Sequence, residues 1–320
     1  MERLLIRASI LAAPFIMLAL FVAVVDPFNL FGVSWIVSEE IKEDTAGELH
    51  NALWKLQKFK KAPVSRIILG DSSMAALDTD EIRWLAGEEY FNFAYGGGTL
   101  PEAIETYWLA ARMTHLDAVY FGIGFVMFNE YDNLDRVSEA RAISENPLLY
   151  LSNRVVLHAA FVAVRVALGA APPRPGAPSL DRDAFWRFQI DESLPEMLYR
   201  YKYPATVAAQ LLEIAEDCRR HGTRFVVVIP PTELELQRKV VALGRGAEDS
   251  QFKRFVATLG PVYDFDYPNS FTAKRENFSD PFHTLDNNEI IEEIWGSRRR
   301  YVHESDQARD ADPILKSRSQ

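Results

Sequence analysis

The chain has 320 residues, 48% of them hydrophobic, with a formal charge of −10 and a single cysteine. That length and apolar content can bury a substantial core as one large domain or one domain with insertions, and the acidic balance supplies no surplus of phosphate-neutralising charge for nucleic acid. Cys218 alone excludes an intramolecular disulfide and a thiolate metal cluster, and six histidines limit the choice of a general base.

Arg3 and Arg7 precede an uncharged run from Ala8 to Val25 that is interrupted by Pro14. The run is near the lower limit for a bilayer span, and no small-x-small cleavage site precedes Asp26-Pro27, so the expectation is an uncleaved anchor over residues 1–30 rather than a removed signal peptide. Arginines before the helix predict an N-terminus in the cytoplasm and export of the remainder. Residues 39–60 read as an amphipathic helix within a stalk over 31–62, with Leu49, Leu53, Leu56 and Phe59 on one side.

Val64 to Leu69 reads as a buried strand that ends abruptly in Gly70-Asp71-Ser72-Ser73. Asp78 and Glu81 then have the spacing of a helix capping box. A strand, a tight glycine turn and a helix lift a side chain to the carboxyl edge of an α/β sheet, where ligands bind, so a serine there is a candidate nucleophile. Gly-Asp-Ser also makes an ordinary turn. A second short strand over Tyr90–Tyr95 leads into Gly96-Gly97-Gly98, and Thr99 with Glu102 forms another capping box for a helix through about Arg112. Asp117 to Gly122 is a third strand. Strand–helix–strand–helix–strand is a parallel, doubly wound pattern.

Residues 131–203 interrupt it. Pro147 to Ala171 is strongly apolar, with Arg154, His158 and Arg165 on one face, which predicts an amphipathic helix on the domain or on a membrane surface. Prolines 172, 173, 175 and 178 predict a stiff linker. The α/β pattern resumes with a helix over about 204–221 closed by Gly222, the strand Arg224–Ile229, a helix capped by Thr232 and Glu235, the strand Val262–Phe265 and a last helix near 286–297. The tail over 301–320 is polar and expected to be disordered.

Asp280 and His283 follow the last strand, three residues apart. On one turn the carboxylate can accept the imidazole Nδ1 proton and leave Nε2 free as a base, the arrangement that activates a serine hydroxyl. A surface turn with Asp280 as a cap is the alternative. The other histidines carry less: His115 and His221 stand at helix C-termini, His158 is on a polar face, and His50 and His303 lie in the stalk and tail. The acidic loop Asn129–Asp135 lacks the glycine and terminal glutamate of a calcium loop.

Together, Gly70-Asp71-Ser72-Ser73, Asn92 through Thr99, and Asp280-Pro281-Phe282-His283 resemble the SGNH (GDSL-like) hydrolase superfamily over roughly residues 64–130 and 204–297. The resemblance implies a three-layer α/β/α sandwich over 63–300 with a mostly parallel sheet and an insertion at 131–203. It implies Ser72 as nucleophile with His283 and Asp280 completing a triad, backbone N–H groups of Ser72 and Gly97 in an oxyanion hole, and neither cofactor nor metal. The family's third block is a glycine, one residue and an asparagine; here the strand ends Gly122-Ile123-Gly124-Phe125, and the next asparagine is Asn129, so Asn129 or backbone at Gly124 stands in for that donor. A departed third block plus an N-terminal anchor is similar to the membrane-tethered acyl-transfer branch, which includes the alginate O-acetylation accessory proteins and the D-alanyl transfer protein of teichoic acid synthesis. That likeness implies acyl transfer to or from a cell-envelope glycan outside a bacterial-type inner membrane, anchored through residues 8–25, beside a multi-spanning acyltransferase partner. An esterase of the same fold and a low-turnover glycan-binding scaffold are the alternatives.

Overall fold

The computed structural model describes residues 2–172 and 181–296. Prolines 173, 175 and 178 of the expected linker, and the expected disordered tail, lie outside the described residues. The chain divides into two compact units, Met1–Pro63 with Arg136–Pro178 and Val64–Asp135 with Ser179–Gln320.

The larger unit is built on five strands: β1 (Arg66–Leu69), β2 (Phe91–Asn92), β3 (Ala118–Gly122), β4 (Arg224–Ile229) and β5 (Val262–Asp264). They form one parallel sheet in the order β2-β1-β3-β4-β5. β-Branched and aromatic residues fill these strands because their side chains pack well on a pleated surface buried on both faces. Ile68 pairs with Tyr120, and Tyr120 with Val226, so these residues share one face. That face packs with Ile82 of the helix Thr79–Ala86 and with Ile290, Ile291, Ile294 and Trp295 of the helix Asn288–Trp295. Ile67, Leu69, Val119, Phe121 and Val227 alternate onto the other face and are fully buried. The helices Leu100–Met113 and Ala205–His221 adjoin each other and border β1 and β4 respectively. Helices with a central parallel sheet fit the expected three-layer sandwich. Each fully buried Ile or Leu contributes roughly 1.5–3 kcal/mol relative to exposure.

Local chemistry sets the element ends. Asp78 accepts the backbone N–H groups of Asp80 and Glu81. Thr99 and Glu102 form the expected reciprocal capping box. Gly222 closes the helix Ala205–His221 at φ +72°. The strand expected over Tyr90–Tyr95 is reduced to two residues, although the Phe93 and Tyr95 N–H groups still donate to the Ile68 and Gly70 carbonyls. The helix expected to be capped by Thr232 begins instead at Leu234 behind Glu233, whose carboxylate accepts the Glu235 N–H. Thr232 is engaged elsewhere, donating its hydroxyl to Asp266. The helix Gly246–Val256 has no counterpart in the sequence reading.

In the smaller unit, the expected anchor, stalk and part of the insertion fold together. The helices Glu2–Val25 and Asn51–Lys61 come from the N-terminal segment; Arg136–Glu145, Pro147–Ser152 and Arg154–Ala167 come from the insertion. Phe21 and Phe161 meet with ring centroids 4.8 Å apart. The buried Tyr150 hydroxyl donates to Asp26 Oδ1 (2.9 Å) and accepts the Phe28 N–H (3.0 Å). Asp26 Oδ2 accepts the Phe31 and Val33 N–H groups, and the buried Lys42 ammonium donates to Asn29 Oδ1. The segments expected as anchor and stalk thus share one compact unit with the helices of the insertion. The insertion is likewise divided, residues 136–178 joining this unit and 179–203 the larger one.

The helix expected over 39–60 breaks at His50, whose ring accepts the Leu53 N–H. Leu53, Leu56 and Phe59 are buried as the periodicity requires, while Leu49 is exposed. The helix expected over 147–171 breaks at Asn153, which caps Arg154–Ala167 and leaves Arg154, His158 and Arg165 on the exposed face. The membrane-crossing helix expected over 8–25 finds no support: Glu2–Val25 is helical, but among the described residues no helix is long and apolar enough to cross a membrane.

Candidate active site

The sheet order reverses direction between β1 and β3. β1 connects to β2 on one side, and the chain then crosses to β3 on the other. A crevice opens beyond the carboxyl ends of strands at such a switch point. Ser72 follows β1 and Gly124 follows β3, and both line a cleft of about 980 Å³.

Ser72 opens the short helix Ser72–Ala75, and Asp71 caps it by accepting the Ser73 N–H at 3.0 Å. The turn before it depends on glycine. Gly70 has φ +144°, and a Cβ there would stand 2.6 Å from Met74 Cγ. Asn92 braces the far side of the turn by donating to the Met74 carbonyl at 2.8 Å. The glycine loop after β2 passes very close: a Cβ on Gly98 would meet the Gly70 carbonyl oxygen at 2.9 Å. Gly97 and Gly98 thus reach the cleft wall beside Ser72.

Asp280 and His283 stand opposite each other in a two-stranded antiparallel hairpin, β6 (Phe278–Asp280) and β7 (His283–Thr284). Cross-strand partners point to the same side, so a two-residue turn brings both side chains together. Asp280 also accepts the Phe282 N–H at 2.9 Å, which fixes the turn. His283 Nδ1 lies 2.9 and 2.8 Å from the two Asp280 carboxylate oxygens. An ionised carboxylate only accepts, so Nδ1 carries the proton and Nε2 is the acceptor. Ser72 Oγ lies 2.6 Å from that Nε2.

The electrostatics follow the same geometry. The hydrogen bond that His283 donates to Asp280 raises the His283 pKa above 6.5, burial opposes it, and the charges of Asp280 and Asp71 add to the rise. Burial raises the Asp71 pKa, against the Ser73 N–H and the charge of His283. Burial, with Glu102 and Asp71 nearby, pushes the Asp132 carboxyl up to about 6 at the cleft wall.

No protein-family model and no curated protein matches the chain. Among the solved structures that are similar, two serve as examples. One, provisionally named a platelet activating factor protein of Streptococcus pneumoniae, is 12% identical with a TM-score of 0.37, covering 74% of this chain and 85% of its own. The other, provisionally named an acylhydrolase of Bacteroides fragilis NCTC 9343, is 11% identical with a TM-score of 0.40, covering 76% and 94%. Likenesses of this depth bear on neither activity nor substrate.

Asn129 lines the cleft, yet its carboxamide is committed to the chain around it. Nδ2 donates to the Met197 carbonyl at 3.0 Å, and Oδ1 accepts the N–H groups of Lys202 (3.2 Å) and Tyr131 (3.4 Å). It braces the loop after β3 against the segment 197–202, and the expected oxyanion role is not what these contacts serve. Gly124 also lines the cleft, and a Cβ added there would meet nothing within 4 Å. His221 is remote from this site in function, its Nδ1 paired with the Asp217 carbonyl at its own helix end. Among the described residues no group of three or more His, Cys, Asp or Glu is placed to hold a metal ion.

Sequence reading missed Arg182. Its guanidinium donates to the carbonyls of Ser279 (3.3 Å) and Arg275 (3.0 Å), holding the hairpin that carries Asp280 and His283. A lone arginine in an interrupting segment gives no signal for such contacts, because its partners are backbone atoms almost a hundred residues later.

Proposed function

We propose that the chain is a serine-dependent acyl-ester enzyme in which Ser72 is the nucleophile, His283 the general base and Asp280 the residue that orients it. The observation that carries this reading is the unbroken path from Ser72 Oγ through His283 to both oxygens of Asp280, at the wall of a cleft. A serine hydroxyl is a weak nucleophile at its own pKa and needs an adjacent base. Ser72 Oγ attacks the ester carbonyl while its proton passes to His283 Nε2, and Asp280 stabilises the imidazolium through Nδ1–H. Collapse of the tetrahedral intermediate expels the alcohol, which takes that proton, and leaves an acyl-serine. In this reading the backbone N–H groups of Ser72 and Gly97, both at the cleft wall, hold the oxyanion, and each good donor lowers the barrier by about 3–4 kcal/mol.

Water as second acceptor makes an esterase and a sugar hydroxyl makes a transferase. We favour transfer to or from a cell-envelope glycan, outside a bacterial-type inner membrane and with a membrane acyltransferase as donor. Supporting it are Arg3 and Arg7 ahead of the uncharged run Ala8–Val25, and the many apolar side chains that the first helix exposes, among them Ile10, Leu11, Phe15 and Met17. The low-turnover scaffold is disfavoured by the aligned hydrogen bonds of Ser72 and His283.

Turnover of p-nitrophenyl acetate by the full chain, with Ser72→Ala alongside and with and without an oligosaccharide acceptor, tests both levels. Hydrolysis lost in the variant supports the enzyme reading, and acyl-oligosaccharide formation supports transfer. Equal rates for both proteins contradict the enzyme reading. A reporter fused after residue 60 that is active only in the cytoplasm contradicts export.

A further inference from the structure

The cleft is far larger than an acetyl group needs, and its walls say what the excess holds. About 980 Å³ is at the upper end of what drug-sized ligands occupy. Ser72 and His283 stand on one wall. Phe125 and Met127 after β3, and Leu234, Leu236, Val240 and Val241 from the helix Leu234–Ala242, line the same cavity. Leu236 and Val240 are one helical turn apart, and Leu234 and Val241 two turns apart, so adjacent stripes of one helix face the cleft. Val241 is 65% exposed, while Leu236 and Val240 are buried at 2% and 6% and contribute only the edges of their side chains to the wall. Charged groups in the wall do not suit an anion: the carboxylates Asp71, Asp132, Glu196, Asp249 and Asp266 outnumber Arg238 and Lys253. Lys253 is moreover spent on Asp264, at 3.1 Å, and on the Asp266 carbonyl.

Resting on the acyl-serine reading, we propose that the acyl group carried by Ser72 is an uncharged apolar chain of medium length, well beyond acetyl, lying along the helix Leu234–Ala242. Each methylene moved from water to this wall raises kcat/KM by about fourfold. From acetyl to hexanoyl the gain is on the order of 10²-fold. A chain ending in a carboxylate meets the acidic wall and forfeits that gain.

The test is kcat/KM of the full chain on p-nitrophenyl esters of acetate, butyrate, hexanoate and octanoate, with the mono-ester of adipate as a charged chain of six carbons. Rates that climb to hexanoate or octanoate, with the adipate ester well below hexanoate, support the proposal. Val241→Trp, which fills the cleft from a largely exposed position, is expected to lower the octanoate-to-acetate ratio at least tenfold. Fastest turnover of acetate, falling with length, overturns the proposal while leaving the serine mechanism standing. A ratio unchanged by Val241→Trp in a protein of unchanged Tm overturns the placement along the helix. No turnover of any ester, with no serine labelling by a fluorophosphonate, overturns the mechanism and the proposal together.

Discussion

Ser72 and His283 are 211 residues apart in the chain, and their Oγ and Nε2 atoms lie 2.6 Å apart. Two short pieces of backbone make that meeting possible: the glycine turn after β1 and the hairpin of β6 and β7. The Asn287 carboxamide adds a tether between the two sides, donating to the Ala76 carbonyl just past the serine helix.

Activity is expected to rise with pH through an acid limb centred above 6.5. His283 acts as a base only when neutral, and its pKa is raised first by the Asp280 hydrogen bond. Asp280→Asn removes that cause, so the limb should move to lower pH while kcat falls by about 10⁴-fold. The same shift has a stability consequence of defined sign. A raised folded-state pKa contributes stability that is fully present below the unfolded value near 6.5 and is lost as pH rises through the folded value. A pH–rate profile of both proteins checks the first claim.

Gly98→Ala should impair catalysis more than folding. Its Cβ would stand 2.9 Å from the Gly70 carbonyl oxygen and 3.0 Å from that of Tyr95, and both are backbone atoms that give only by moving their loops. A displacement approaching an ångström beside the nucleophile costs about 10²-fold in kcat. An ester assay alongside thermal melting separates this from general unfolding.

Asn129→Ala distinguishes a bracing residue from an oxyanion donor. Loss of its three backbone contacts should destabilise the larger unit by about 1–3 kcal/mol, seen as a lower Tm, with kcat reduced less than by Gly98→Ala. A fall in kcat of about 10²–10³-fold at unchanged Tm would restore it as an oxyanion donor.

How far the sequence could be read is clearest at particular residues. β4 runs Arg224–Ile229 as its unbroken apolar run indicates, and Asp78, Thr99 with Glu102 and Gly222 mark helix ends by chemistry local to a few residues. Asp280 and His283 pair by their spacing of three residues, whereas only the family resemblance joins Ser72 to them. The helix Gly246–Val256 escaped because it buries only Phe252 and Val256 and has no side-chain N-cap. The smaller unit escaped for another reason. Tyr150 and Asp26 are 124 residues apart, and one buried hydrogen bond leaves no periodic trace in a sequence. Arg182 and Asn129 act on backbone carbonyls, which no side-chain pattern announces.

Tyr150→Phe tests the packing of the smaller unit directly. Removing the hydroxyl leaves the Phe28 N–H and one Asp26 oxygen without their buried partner, at a cost of about 1–3 kcal/mol. Hydrogen exchange should then speed up in both the segment around residues 26–33 and the helix Pro147–Ser152. Faster exchange in only one of them would mean that the two segments do not stabilise each other.

The central claim is that Ser72 is activated by His283 and Asp280. Its most direct test is peptide mapping by mass spectrometry after exposure of the full chain to a fluorophosphonate. The account predicts one phosphonyl group on Ser72, absent in Ser72→Ala and strongly slowed in His283→Ala. A wild-type chain that stays unmodified, or that is modified equally in the His283→Ala variant, would contradict it.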